Sequence, residues 1–187
     1  MTNLEQVLEQ LVIAFPDKEL TQYCTPLTDK AIWIEDSEAL NRIDCHTTIP
    51  THLPEEQTFR IVNEKQKIIA ILAMDGNGLV GNTQSSCDAV LLDEVYCCFV
   101  EMKYNATARG GNAISRNQQK AIKQLKNTIT LWDTALGSIT FFNDYKREAY
   151  IGEPSHYPKS TAYVNTKKIE LLEQYNTMLF QSSSKEF

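Results

Sequence analysis

The sequence predicts a mixed α/β (α+β) domain with a central mixed sheet flanked by helices. Three observations carry that expectation. Residues 3–15 and 114–132 repeat apolar side chains every three or four positions, the spacing of a helix face. Between them, apolar and β-branched runs at 58–62, 67–74, 88–92 and 95–102 are separated by turn residues, as strands are. The chain has 187 residues, 42% hydrophobic and 22% charged, which suits one domain burying its own core.

In the first helix, Leu4, Val7, Leu8, Leu11, Val12 and Phe15 form the apolar stripe, and Pro16 ends it. Asp29–Arg42 reads as a short helix, and CHTTIPTHLPEE (residues 45–56) as a proline-rich loop. The strand at 67–74 runs into Asp75-Gly76-Asn77-Gly78, a strong turn signal, and residues 78–86 form a polar approach to the next pair. Asp88–Leu92 and Val95–Met102 then make a hairpin that turns at Asp93-Glu94. A Gly-Gly loop leads to a helix with the stripe Ile114, Ala121, Ile122, Leu125, Ile129 and Trp132, and Ser115 with Gln118 is placed for a capping box. Ile139–Phe142 and Ala149–Ile151 read as strands, Lys167–Phe180 as a last helix, and the tail QSSSKEF as disordered. No repeat or linker divides the chain, so residues 1–187 are expected to be one domain with its core at 59–151.

MTNLEQVLEQLVIAF has no basic leader region and carries Glu5 and Glu9, unlike a signal peptide. No apolar run approaches the roughly 20 residues of a membrane span, so a cytoplasmic protein with no membrane partner is expected. The five cysteines are an odd count, and Cys97-Cys98 sits within an apolar strand, which fits buried reduced thiols. Asn105-Ala106-Thr107 matches a glycosylation acceptor, a chance match in a protein that is not secreted. Net charge is −6, but its distribution is uneven. Residues 1–101 hold 17 acidic and 6 basic groups, whereas residues 102–132 hold Lys103, Arg109, Arg116, Lys120, Lys123 and Lys126 and no acid.

That basic window begins where Asp88, Glu101 and Lys103 converge. With a two-residue turn at 93–94, Asp88 would lie opposite Phe99 and Glu101 would be its diagonal neighbour. Lys103 returns to the same face by the period of two. Two carboxylates with a lysine suit a hard divalent cation, Mg²⁺ or Mn²⁺, and the Met102 carbonyl stands ready as a further ligand. Such an ion polarises a phosphate and acidifies a bound water; the lysine orients or deprotonates that water, or neutralises developing charge. The plainer alternative is that Asp88 caps a strand and that Glu101 and Lys103 form a surface pair worth at most about 1 kcal/mol.

An aspartate, twelve residues, then Glu-x-Lys across a hairpin, followed by a helix, resembles the PD-(D/E)XK restriction-endonuclease-like superfamily. The resemblance spans residues 65–132 and departs at Cys87, where a proline is usual. It implies a restriction-endonuclease-like αβββαβ core, metal binding by Asp88 and Glu101, and water activation by Lys103. It implies a glutamine from the following helix, Gln118 or Gln119, with Gln119 the candidate catalytic residue, and an acidic residue of the first helix, Glu9, near the metal.

The resulting expectation is a Mg²⁺-dependent nuclease of a defence or repair setting. Its alternative is a non-catalytic binding or immunity-type protein on the same fold. Arg109, Arg116, Lys120 and Lys123 would meet the phosphate backbone, with DNA ahead of RNA as the nucleic acid and sequence preference left to loops. A homodimer or a protein partner stays open. Cys45, His46 and His52 lack a second ligand pair and are read as loop residues, not a zinc site. DGNGLVG is a turn, no G-x-S-x-G occurs, and Tyr145, Lys146, Arg147 and His156 read as surface.

Overall fold

The computed structural model describes residues 1–54, 57–104, 111–155, 157–158 and 161–187, except the side chains at 83, 140 and 141. Arg109, His156 and the acceptor sequence at 105–107 therefore lie outside the described residues. The chain forms α1 (Asn3–Ala14), β1 (Cys24–Leu27), β2 (Ala31–Ser37), β3 (Arg42–His46), β4 (Phe59–Val62), β5 (Ile69–Ala73), β6 (Ala89–Leu92) and β7 (Tyr96–Met102). It continues through α2 (Gly111–Leu136), β8 (Lys146–Gly152), α3 (Ala162–Tyr175), β9 (Thr177–Phe180) and β10 (Ser184–Glu186).

These strands make two mixed sheets, ordered β1-β5-β6-β7-β8-β9 and β10-β4-β2-β3. In the larger sheet β1, β5, β6 and β7 are antiparallel, and β8 and β9 continue parallel to β7. The helix α2 is the crossover between parallel β7 and β8, the connection that parallel neighbours require. Alternation along β7 then divides the core. Cys97 and Phe99 face α1, α2 and α3, with Trp132 of α2 meeting the Phe99 ring edge-on. Cys98 and Val100 face the smaller sheet through Ile32, Ile34, Phe59 and Ile61. The architecture is three layers: helices, large sheet, small sheet. The expected flanking helices thus cover one face only, because a second sheet supplies the apolar cover on the other.

Several expected elements change. Residues 29–42 hold β2, not a helix: Ile32 and Ile34 alternate inward against Trp33 and Glu35. Cys45 and His46 end strand β3 and do not belong to a loop. Residues 140–144 make a short 3-10 turn, not a strand. The last helix stops at Tyr175, where Asn176 takes a left-handed conformation (φ 48°) and β9 follows. Ser115 lies inside α2 and accepts from Gln119, so it caps nothing. The tail is ordered: β10 pairs with β4, and Lys185 and Phe187 are buried. Tyr145 is buried, and Arg147 binds Asp133 at 2.8 Å beside the Phe99 and Phe142 rings, so only Lys146 of that trio is exposed. Among the described residues, no helix is long and apolar enough to cross a membrane.

Candidate metal and phosphate site

The hairpin β6–β7 is longer at its turn than expected. Asp93 accepts from the Val95 and Tyr96 amides through Oδ1, at 2.7 and 2.6 Å, and its own N–H donates to the Tyr96 carbonyl. The turn is therefore four residues, Leu92 pairs with Cys97, and Ala89 pairs with Val100. Relative to the expected register, β6 moves two residues along β7. Every side chain keeps its face. The move corrects the predicted Asp88–Phe99 pairing: the Asp88 N–H donates to the Val100 carbonyl at 3.0 Å, and its Oδ2 accepts the Met102 N–H. Asp88 thereby sits beside Glu101, on the helix side of the sheet.

Asp88, Glu101 and Lys103 do come together. The Lys103 ammonium contacts Glu101 Oε1, while Glu101 Oε2 is buried with no hydrogen-bond partner among the described residues. A fourth group, missed by the sequence reading, is Asp75 in the β5–β6 turn; its side chain hydrogen-bonds Asp88. A contact between two carboxyls requires a shared proton. Burial, reinforced by the Glu101 and Asp75 charges, holds Asp88 well above the carboxylate range. Burial raises Glu101 to about 7 although Lys103, and more weakly Lys120 of α2, oppose it. Burial and the charge of Asp36 raise Asp75. For Lys103, burial alone would lower the pKa, but Glu101 and Asp88 outweigh it and hold it above its ordinary value. One ammonium thus faces three carboxyl groups that are hard oxygen donors, one with an orphaned oxygen. A divalent cation fits that donor set and charge deficit.

The remaining expected residues are placed as follows. Met102, named for its carbonyl, donates its N–H to Asp88. Gln119 is exposed and turns its amide to Ser115, whereas buried Gln118 holds the Pro158 carbonyl and contacts the Thr161 hydroxyl. Arg116, Lys120 and Lys123 are exposed at i, i+4 and i+7 along α2, one stripe by helical geometry. Lys126 is drawn off that stripe into a pair with Glu170. Glu9 is exposed on α1 and has no described contact with the cluster.

Compared with known proteins, the chain matches no family model, no curated protein and no solved structure.

Proposed function

We propose that this protein is a metal-dependent nuclease of the PD-(D/E)XK restriction-endonuclease-like type, hydrolysing phosphodiester bonds in nucleic acid, DNA ahead of RNA. The observation that carries it is the meeting of Asp88, Asp75, Glu101 and Lys103 at one end of the sheet with an unsatisfied Glu101 oxygen. The antiparallel β5–β6–β7, the crossover α2 and the parallel β8 support it, matching the βββαβ part of the order that the sequence resemblance implies, with β1–β4 intervening between α1 and β5.

Asp75, Asp88 and Glu101 would hold Mg²⁺ or Mn²⁺, which when bound supplies an electrophile for the phosphate and an acidified water. The chain's own groups do the rest. Because Lys103 is held charged by Glu101 and Asp88, its role is to neutralise charge building on phosphate oxygens rather than to abstract a proton. The Met102 amide fixes the Asp88 carboxyl. Arg116, Lys120 and Lys123 give the backbone a basic track that leads to the cluster, since the Lys120 charge is felt at Glu101.

The test is incubation with single- and double-stranded DNA and RNA in Mg²⁺ or Mn²⁺, beside Lys103→Ala and Asp88→Asn. Wild type is expected to cut, with both variants reduced by roughly 100-fold or more. A wild type that cuts nothing, or variants that cut as well as wild type, sinks the proposal.

A further inference from the structure

The smaller sheet carries a second group of ligand side chains, on the face turned away from the core. On β2 and β3, Glu35 pairs directly with Asp44, and His46 lies two residues further along the same face. The Glu35 carboxylate, the Asp44 carboxylate and the His46 imidazole each bring one donor atom within 4.8 Å of the others. The loop that follows β3 adds His52, whose Nε2 stands 2.9 Å from Glu35 Oε2. The His46 Nε2 is 3.4 Å from the same oxygen and 3.8 Å from Asp44 Oδ2. Cys45, which the sequence grouped with these histidines, faces the core side, and burial raises its thiol to about 12. The set is therefore two histidines and two carboxylates, not a cysteine site.

Ion pairing alone accounts poorly for this packing. Glu35 is 5% exposed, yet among the described residues its Oε2 accepts no hydrogen bond, and the buried His46 Nε2 makes none either. The separations are short enough for ion pairs, but neither imidazole N–H lines up on the oxygen. A buried carboxylate oxygen left this way is destabilising unless something else engages it. Tetrahedral ligands at about 2.0–2.1 Å from a zinc ion lie about 3.3 Å from one another, close to the 3.4 and 3.8 Å between His46 and the two carboxylates, while His52 approaches Glu35 and lies outside the group of three. Asp44 has an outer partner as well: the Cys45 N–H donates to Oδ1 at 2.9 Å, leaving Oδ2 for the site.

We propose that Glu35, Asp44 and His46 hold zinc, distinct from the Asp75–Asp88–Glu101 cluster, with His52 swinging from its place beside Glu35 to become the fourth, tetrahedral ligand when the ion binds. Imidazole nitrogen selects a borderline transition ion over Mg²⁺. Four protein ligands leave no open position, so the role is structural: the ion ties the loop bearing His52 to the sheet. That loop is a wall of a cavity of about 390 Å³, where His52, Leu53 and Gln57 face Asp36, Met102 and Tyr104. The zinc site therefore sets the position of that wall and the shape of the cavity.

The test uses the full chain, stripped with EDTA and titrated with Zn²⁺ by calorimetry and with Co²⁺ by visible absorption. With excess Mg²⁺ present to fill the carboxylate cluster, one zinc per chain is expected, with the intense absorption of tetrahedral Co²⁺ and protection of residues 47–54 from protease when loaded. His46→Ala and His52→Ala should each weaken binding by about 10–100-fold or more. Asp88→Asn should leave it unchanged. His52 is 60% exposed at its side chain, so His52→Ala keeps the fold, as circular dichroism will verify. A wild type that binds no zinc overturns the proposal and leaves the cluster a set of ion pairs. Zinc binding that survives both histidine variants, or is lost with Asp88→Asn, overturns it equally.

Discussion

Two glutamates on neighbouring strands of the large sheet are both buried, and they are treated in opposite ways. Glu148 on β8 points toward the small sheet, where its Oε2 accepts from Tyr150 at 2.6 Å and Lys185 at 2.8 Å and takes a weaker contact from the Cys98 thiol. The Lys185 ammonium also lies over the Tyr96 ring at 3.7 Å. Glu101 on β7 points toward the helices, where one lysine is shared among three carboxyl groups and one oxygen has no hydrogen-bond partner among the described residues. The first cluster is balanced and closed by the chain itself. The second crowds three acidic groups around one ammonium, which compensates them only in part and leaves their pKa values raised. Unrelieved repulsion in a buried place is the mark of a site shaped for something other than the chain.

The contrast can be broken from either side. The largest stability effect belongs to the balanced cluster. Glu148→Gln or Lys185→Ala leaves a buried partner unpaired and should cost about 3–5 kcal/mol, read by urea melts, without changing cleavage per folded molecule. Equal loss of activity and stability would deny that the two clusters have separate roles.

The next effect is in the pH dependence. Glu101 binds its proton more tightly folded, at about 7, than unfolded at its ordinary 4.5. Between those values the native state holds more protons than the unfolded one, so stability in EDTA should fall as pH rises through that window. Mg²⁺ should remove most of the fall; a flat profile in EDTA would contradict the burial assigned to Glu101.

Smaller, and of opposite sign to the Glu148 variants, is Asp88→Asn. Relief of repulsion should raise stability in EDTA by roughly 1–2 kcal/mol even as cleavage is lost. A destabilised variant would show that Asp88 serves the fold. Smallest is the thiol chemistry: Cys87 beside one cluster and Cys98 beside the other are both held well above ordinary thiols by burial first. Neither should react with a disulfide reagent at pH 8 until the protein unfolds.

The hairpin, α1 and α2 were legible because period two and period 3.6 are local signals. The convergence of Asp88, Glu101 and Lys103 followed from them, since a two-residue register error preserves faces. The register itself was not legible: it depends on which amides the Asp93 side chain chooses. Asp75 was hidden by its own turn motif, for DGNG is satisfied as a turn whether or not its aspartate serves a site. Of the small sheet only β4 was legible: its pairings with β2 and β10 span long gaps in sequence, and the local β2–β3 hairpin was read as a helix and a loop. Ile32 and Ile34 alternate as a strand should, and that was the available signal. The burial of Lys185 gave no sequence sign, because its partner Glu148 is 37 residues away in a different sheet.

The turn that carries Asp75 rests against the tip of the β2–β3 hairpin: the Asn77 amide donates to the Asn41 carbonyl at 2.6 Å, and its side chain donates to Leu40 at 2.8 Å. Between them Gly76 has φ +55°, and a β-carbon there would stand 1.9 Å from the Asn41 oxygen. No side chain of any kind fits that gap while both backbones stay where they are. In a mutational scan, residue 76 should accept glycine alone, whatever selection is applied to the rest of the surface. Lineages descending from this chain could rewrite either hairpin tip freely only by abandoning the contact, and with it the position of Asp75.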